Sequence, residues 1–323
     1  MAELPIAAHG VIVVVVIALI AQGATWLVEA AARISQRLGI SELVIGLTVV
    51  AFGTSAPEFA VTILAAFRGQ GDISVGNVVG SNIFNLGFIL GGCALAFPIP
   101  TTKLLVYRDA SILLLGTLLL GLFIGGDLRL SNIDGGILFG LLVAYLLFLF
   151  TKRGEGVEPD EELKEILENA EDSKIGKDVL LLATGLGAIL GGSHFLVISA
   201  SEVARHFGLS EWMIGVTIVA AGTSAPEFAT TMAGIVKKKF SLSAGNVIGS
   251  DIFNIFGVLG VAGLIHPVSV QESARSSLIG LTTMVLLVIV FMRTNWKISR
   301  WQGAVLVGVA LARWALDLKS IVS

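Results

Sequence analysis

A chain of 323 residues that is 55% hydrophobic and only 14% charged, with mean hydropathy +0.90, is too apolar for a soluble domain of its size. Its net charge of −3 argues against a basic nucleic-acid surface, and its one cysteine, Cys93, excludes a disulfide framework or a thiolate metal cluster. His9, His194, His206 and His266 are scattered with no pair at ligand spacing, which argues against a zinc site.

Apolar windows in chain order predict ten membrane spans and an all-α membrane protein. The first covers about residues 6–32; no Lys or Arg precedes Arg33, so it lacks the basic flank of a cleaved signal peptide and is expected to be retained. A basic loop with Arg33 and Arg37 follows, then spans at about 41–67 and 73–97. Spans at about 109–126 and 133–151 carry no ionisable residue in their centres and read as scaffold. Residues 152–178 are rich in acids and are expected to be a linker; they lack the loop pattern of an EF-hand calcium sensor. Spans at about 179–204, 212–236, 242–266, 275–292 and 301–318 complete the chain.

The second half repeats the first. Residues 37–91 align with 206–260 at a constant offset of 169, without a gap and with 28 identities in 55 positions. That is an internal duplication, giving a first five-helix repeat at 1–151 and a second at 179–323. Five spans per repeat is odd, so the second copy enters the membrane from the opposite side and the repeats are inverted. Loops after the odd-numbered spans hold 15 of the 21 Lys and Arg residues. By the positive-inside rule both termini are expected outside and the 152–178 linker in the cytoplasm, in a multi-pass protein of the cell membrane.

Within the repeat, Gly53-Thr54-Ser55-Ala56-Pro57-Glu58 returns unchanged as Gly222-Thr223-Ser224-Ala225-Pro226-Glu227. An intramembrane carboxylate is expensive and therefore points to function. On a helix Thr54 and Ser55 would share a face with Glu58, and Pro57 denies the Gly53 carbonyl its N–H, so a bend or unwinding is expected there. Gly76-Asn77 to Asn85 and Gly245-Asn246 to Asn254 add a second layer, with Ser81 and Asn85 on one face and Ser250 and Asn254 on another. Pooled, the motifs offer hard oxygen donors without thiolate or imidazole, the ligand set of Ca²⁺ and Na⁺ and less that of Mg²⁺. Asp251 stands where the first repeat has Asn82. Three residues before Asn254, it is either a third carboxylate of the cavity or a structural acid bonded to backbone.

These paired motifs, Gly-Thr-Ser-Ala-Pro-Glu with Gly-Ser-Asn-Ile-Phe-Asn and then with Gly-Ser-Asp-Ile-Phe-Asn, resemble the α-repeats of the cation/Ca²⁺ antiporter superfamily, in particular its sodium/calcium exchangers and their prokaryotic relatives. The resemblance spans essentially the whole chain. It implies four cation sites at the membrane midplane, lined by Ala51 (through its carbonyl), Thr54, Ser55, Glu58, Ser81 and Asn85, and by Ala220, Thr223, Ser224, Glu227, Ser250 and Asn254. It also implies Na⁺ and Ca²⁺ sharing Glu58 and Glu227, several Na⁺ imported per Ca²⁺ expelled, and alternating access in which spans one and six slide over the other eight. In the potassium-dependent branch an acid at the position of Asn254 is associated with K⁺ use, so Asn254 argues for K⁺ independence. Small inorganic cations and the bilayer are the expected partners; no cofactor, obligate protein partner or enzymatic activity is implied. The alternative is an H⁺/Ca²⁺ antiporter, since a buried Glu can cycle protons; that branch carries Gly-Asn in place of the hydroxyls. A passive channel would need a continuous pore, and an intramembrane aspartyl protease two facing Asp residues.

Overall fold

The structure is a computed structural model that describes residues 5–152, 154, 175–208 and 220–322, with the side chains of Ala220 and residues 316–322 outside the described set. The first half comprises α1 (Ile6–Leu38), α2 (Glu42–Thr54), α3 (Ala56–Phe67), α4 (Gly71–Ala96), α5 (Leu105–Asp127) and α6 (Asn132–Thr151). The second comprises α7 (Ile175–His206), α8 (Ala220–Thr223), α9 (Ala225–Val236), α10 (Phe240–Ile265), α11 (Ser273–Arg293) and α12 (Arg300–Val322).

Among the described residues seven helices are long and apolar enough to cross a membrane, and α2 with α3, bent by 52°, makes an eighth. Ten spans were expected. The helices α8 and α9, and α12, occupy the places of the seventh and tenth expected spans. Residues 212–219 of the seventh span, and residues 153 and 155–174 of the acidic linker at 152–178, lie outside the described residues.

Lipid offers no hydrogen bonds, so chain reversals must satisfy their backbone within the protein. Two short antiparallel ribbons do part of this. β1 (Ile99–Pro100) pairs with β4 (Lys297–Ile298), and β2 (Arg129–Leu130) pairs with β3 (Val268–Ser269). Adding 169 to β1 gives the numbers of β3, so each ribbon joins one half of the chain to the other. The ribbons mark two faces. Beside β1 and β4 lie the start of α5 and the end of α11; α6 also ends on that side, which is therefore the linker face. The end of α5 and the start of α11 lie at β2 and β3, on the terminal face.

The first helix overturns one expectation. Arg33 and Arg37, assigned to a loop, lie on α1, which continues to Leu38 and stops where Gly39 turns left-handed (φ 60°). The helix continues because both cations have a partner. Arg33 Nε donates to Asp178 Oδ1 at 2.6 Å and Arg37 Nε to Asp178 Oδ2 at 3.0 Å, so α1 is fastened to the start of α7. A second buried acid was hidden in the scaffold spans. Asp109, at the start of α5, accepts from Arg108 Nε at 2.7 Å and from the Tyr145 hydroxyl at 2.9 Å.

Helices α2 and α10 cross at backbone distance. A Cβ on Gly249 would stand 2.6 Å from the Leu47 Cα, so glycine is required for the approach. Around this crossing the core is aliphatic, with Leu86, Ile89, Val247, Ile248 and Phe256 fully buried.

Asp178→Asn would leave two guanidinium groups without their shared carboxylate. The expected loss is roughly 1–3 kcal/mol, below the value for a fully buried pair because both arginines keep 22% side-chain exposure. Thermal unfolding in detergent measures it; an unchanged midpoint would show that this pair does not fasten α1 to α7.

Candidate cation site

Both repeated motifs break their helix at the serine. Ser55 (φ −80°, ψ 10°) closes α2 and opens α3, whose first turn holds Pro57 and Glu58. Ser224 (φ −92°, ψ 8°) opens α9, with Pro226 and Glu227 in the same positions. Proline is tolerated in a first turn because its missing N–H would be unbonded there anyway. The break therefore puts each glutamate at the N-terminal end of a half-helix, where the dipole favours a negative charge. The bend expected from Pro57 is present.

The hydroxyls were expected on the same face as the glutamate of their own motif; the carboxylates that the serines bond are those of the other motif. Ser55 Oγ donates to Glu227 Oε1 at 3.1 Å, and Ser224 Oγ to Glu58 Oε1 at 3.4 Å. Each carboxylate is held by the serine of the other motif. The two motifs face one another across the interface between the halves, so each serine reaches the carboxylate of the other. Ser81 also interacts with Glu58, while Thr54 and Ser250 interact with Glu227. Glu58 (1% exposed) and Glu227 (0%) are sealed from solvent.

A ladder of amides lies beside them. Asn85 Nδ2 donates to Asp251 Oδ1 at 2.9 Å, and Asn254 Nδ2 to Asn82 Oδ1 at 3.0 Å. Asn82 Nδ2 in turn donates to the Asp251 carbonyl at 3.1 Å. Residues 82 and 251, and 85 and 254, exchange under the offset of 169, so the ladder repeats itself from the two halves. Asn85 opens the π-helical segment Asn85–Leu90, and Asn254 lies in another, Phe253–Leu259. Such segments insert a residue and re-aim side chains, and they recur at functional sites. Asn77 Nδ2 reaches the Glu58 carbonyl (3.2 Å) and Thr62 Oγ1 (2.9 Å). Its counterpart Asn246 donates to Thr231 Oγ1 (3.2 Å) and accepts from Thr54 (3.3 Å).

Sequence reasoning left Asn77, Asn82, Asn246, Thr62 and Thr231 out of the site. The asparagines stood inside the quoted motifs; the threonines follow each glutamate by four residues, a helical spacing that could have found them. Ala51 takes part in the hydrogen bonding at the break. Its carbonyl already accepts from Ser55 N at 3.0 Å and from Thr54 Oγ1 at 3.3 Å. Ala220 begins α8, and Thr223 lies with Ser224 and Ser81 on the wall of a cavity of about 420 Å³. The cavity reaches from Arg313 and Trp314 on α12 to those hydroxyls.

The charge balance is decisive for the chemistry. Among the described residues no Lys, Arg or His forms an ion pair with Glu58, Glu227 or Asp251. Glu58 Oε2, Glu227 Oε2, Asp251 Oδ2, Asn85 Oδ1 and Asn254 Oδ1 are buried acceptors without a hydrogen-bond partner. Burying such groups without compensation costs several kcal/mol each. No group of three His, Cys, Asp or Glu side chains gathers into a metal cluster among the described residues. Amide and hydroxyl oxygens must therefore supplement the carboxylates, which suits a hard cation that is held and released.

Three comparisons bear on this geometry. A family model described as sodium/calcium exchanger protein matches residues 9–151 and 177–312. The chain belongs to the sodium/calcium exchanger family. Among its relatives are the sodium/calcium exchanger MaX1 of Methanosarcina acetivorans, 34% identical over 88% of this chain and 91% of the relative, and the inner membrane protein YrbG of Escherichia coli K12, 35% identical over 90% of each. A solved structure of the sodium-calcium exchanger NCX_Mj superposes with a TM-score of 0.83 at 30% identity, covering 96% of this chain and 99% of that one. The protein is thus a multi-pass membrane transporter of the antiporter type and not an enzyme.

The crossed pairing in this exchanger is testable by double-mutant cycles on Ca²⁺ affinity. Ser55→Ala and Glu227→Gln are expected to be strongly non-additive, and Ser55→Ala with Glu58→Gln close to additive. Each hydroxyl loss alone should weaken binding by roughly 10- to 150-fold, as for hydrogen bonds to charged groups. Coupling of Ser55 to Glu58 instead would restore the single-motif arrangement.

Proposed function

We propose that the protein exchanges Na⁺ for Ca²⁺ across the cell membrane by alternating access, normally with Na⁺ moving in and Ca²⁺ out. The observation that carries this is the set of buried carboxylate and amide oxygens without hydrogen-bond partners, contributed by both halves and without a neutralising side chain among the described residues. A group of that kind is compensated by a cation in transit, and the hydroxyl-rich lining favours Na⁺ over H⁺ as its competitor. Glu58 and Glu227 are the shared ligands. Thr54, Ser55, Ser81, Asn85, Thr223, Ser224, Ser250 and Asn254, with the carbonyls of Ala51 and Ala220, complete the coordination at different stages. Asp251 joins them: its free Oδ2 and its bond to Asn85 favour a ligand over an acid held only by backbone.

The architecture that serves this function is ten spans in two inverted five-helix repeats, 1–151 and 179–323. Support comes from contacts that recur when each residue is exchanged for its counterpart 169 positions away: Ser55 on Glu227 with Ser224 on Glu58, and Asn85 on Asp251 with Asn254 on Asn82. With the basic loops inside, the linker face and residues 152–178 are cytoplasmic and both termini outside. The cavity rimmed by Arg313 and Trp314 is then the ion path from the external face. The moving pair is α1 with α7. Leu186 of α7 fits against Gly53 so closely that a Cβ there would lie 2.8 Å from its Cδ2, so motion of α7 is felt at the motif.

The test uses proteoliposomes loaded with Na⁺ and diluted into Na⁺-free medium, with ⁴⁵Ca²⁺ uptake followed beside K⁺-loaded and acid-inside controls. Uptake driven by Na⁺ alone is expected, with loss of nearly all of it in Glu58→Gln and in Glu227→Gln. Uptake driven by the acid-inside gradient would overturn Na⁺ coupling in favour of H⁺/Ca²⁺ exchange. Full activity in Glu58→Gln would overturn the site.

A further inference from the structure

The linker face carries a cluster that ion exchange does not use. Trp296 stands at the centre, between α11 and β4. The Arg293 guanidinium lies 4.7 Å from its ring centroid and the Lys103 ammonium 5.9 Å. The Tyr107 ring meets it edge-on at 5.8 Å, and Arg293 donates to the Tyr107 hydroxyl. Lys297 and Arg300 follow within four residues of Trp296 and are exposed, as are Lys103 and Arg293. Among the described residues none of these four cations has a carboxylate partner. Other cations of the same face do have one: Arg33 and Arg37 on Asp178, Lys237 on Glu29, Lys239 on Glu42.

The backbone is bent out of its preferred region to build this cluster. Asn295 and Trp296 both have positive φ, 57° and 52°. Asparagine tolerates this region, but for a bulky tryptophan it is strained and persists only where the surroundings enforce it. The surroundings are visible. Thr101 donates its N–H to the Trp296 carbonyl at 2.9 Å and its hydroxyl to the Met292 carbonyl at 2.7 Å, and β1 pairs with β4 directly after the turn. A strained turn held from across the fold thus gathers the cations around one indole.

We propose that Lys103, Arg293, Lys297 and Arg300, arranged around Trp296 and Tyr107, bind the phosphate headgroup of an anionic phospholipid in the leaflet at the linker face. Arginine forks and lysine ammonium groups are the natural partners of a phosphodiester. The cluster lies at the helix ends, where aromatic residues settle at the headgroup level and basic groups meet anionic lipid. Exposed apolar surface for an acyl chain adjoins it at Phe97 (47% exposed) and Trp301 (61%). The terminal face is built differently. There Arg275 pairs with Glu272, and Asp72 and Asp127 accept from backbone N–H groups of the loops. The inference goes beyond ion coupling and holds whichever ion drives exchange.

Native mass spectrometry of the full chain, delipidated in detergent and titrated with phosphatidylglycerol, tests it. Phosphatidylcholine serves as the neutral lipid and inorganic phosphate as the soluble competitor. One phosphatidylglycerol is expected to be retained in preference to phosphatidylcholine. Its affinity should fall about five-fold for each charge removed in Lys103→Gln, Arg293→Gln and Lys297→Gln, and be unchanged in Arg129→Gln on the other face. Lys297→Gln keeps the backbone pairing of β4 and remains informative if Arg293→Gln fails to fold. Equal affinity in wild type and variants, or equal retention of phosphatidylcholine, would overturn the site. Displacement of the lipid by phosphate at similar concentration would overturn the lipid as its ligand.

Discussion

Two glutamates sealed inside an apolar bundle, each facing the serine of the other half, impose the constraint on which the rest of this structure depends. A carboxylate in such a place must be compensated, and no basic side chain forms an ion pair with either among the described residues. The helix breaks at Ser55 and Ser224 follow from that need. They bring the positive ends of two half-helices to Glu58 and Glu227, and they turn the hydroxyls across the interface between halves. In the proposed function a cation that enters completes the electrostatics of both halves together.

The amide ladder gives the arrangement its stiffness. Asn82, Asn85, Asp251 and Asn254 bond across the same interface, in the helices that pack at backbone distance around Gly249. They leave single acceptor atoms, such as Asn85 Oδ1 and Asn254 Oδ1, aimed into the interior. Donor groups consumed in the protein and acceptor groups left over are the polarity a cation requires. In contrast α1 and α7 are fastened to each other at their ends by Asp178, Arg33 and Arg37, on the linker face. The proposed ion site and the fastening of α1 to α7 are thus separate pieces of chemistry.

Much of this was legible in the chain. The duplication, the two Gly-Thr-Ser-Ala-Pro-Glu motifs and the oxygen-only donor set point to the family and to most of the proposed site, because a costly group placed twice at equal positions in apolar surroundings has few structural explanations. The bend at Pro57 was legible for a local reason, the missing N–H. The two-residue β ribbons were not, since Ile99 and Ile298 meet only when the halves are assembled. Arg33, Arg37 and Asp178 were misplaced for the same reason. Hydropathy ends a span at a charge, whereas a charge with a buried partner lets the helix run on.

The sequence by itself determined which atoms are available: two glutamates, their flanking hydroxyls, the asparagines and the prolines that break the helices. Those depend on residue type and on spacing along one helix, which are local. Only the tertiary structure decided which hydroxyl serves which carboxylate, that Asp251 is bonded by Asn85, and that π-helical segments re-aim Asn85 and Asn254. Each of these is a relation between residues about 170 positions apart or a local insertion without a residue signature. The reason is physical: these contacts join residues of opposite halves, so their geometry is fixed by the packing of one half against the other and not by spacing along one helix.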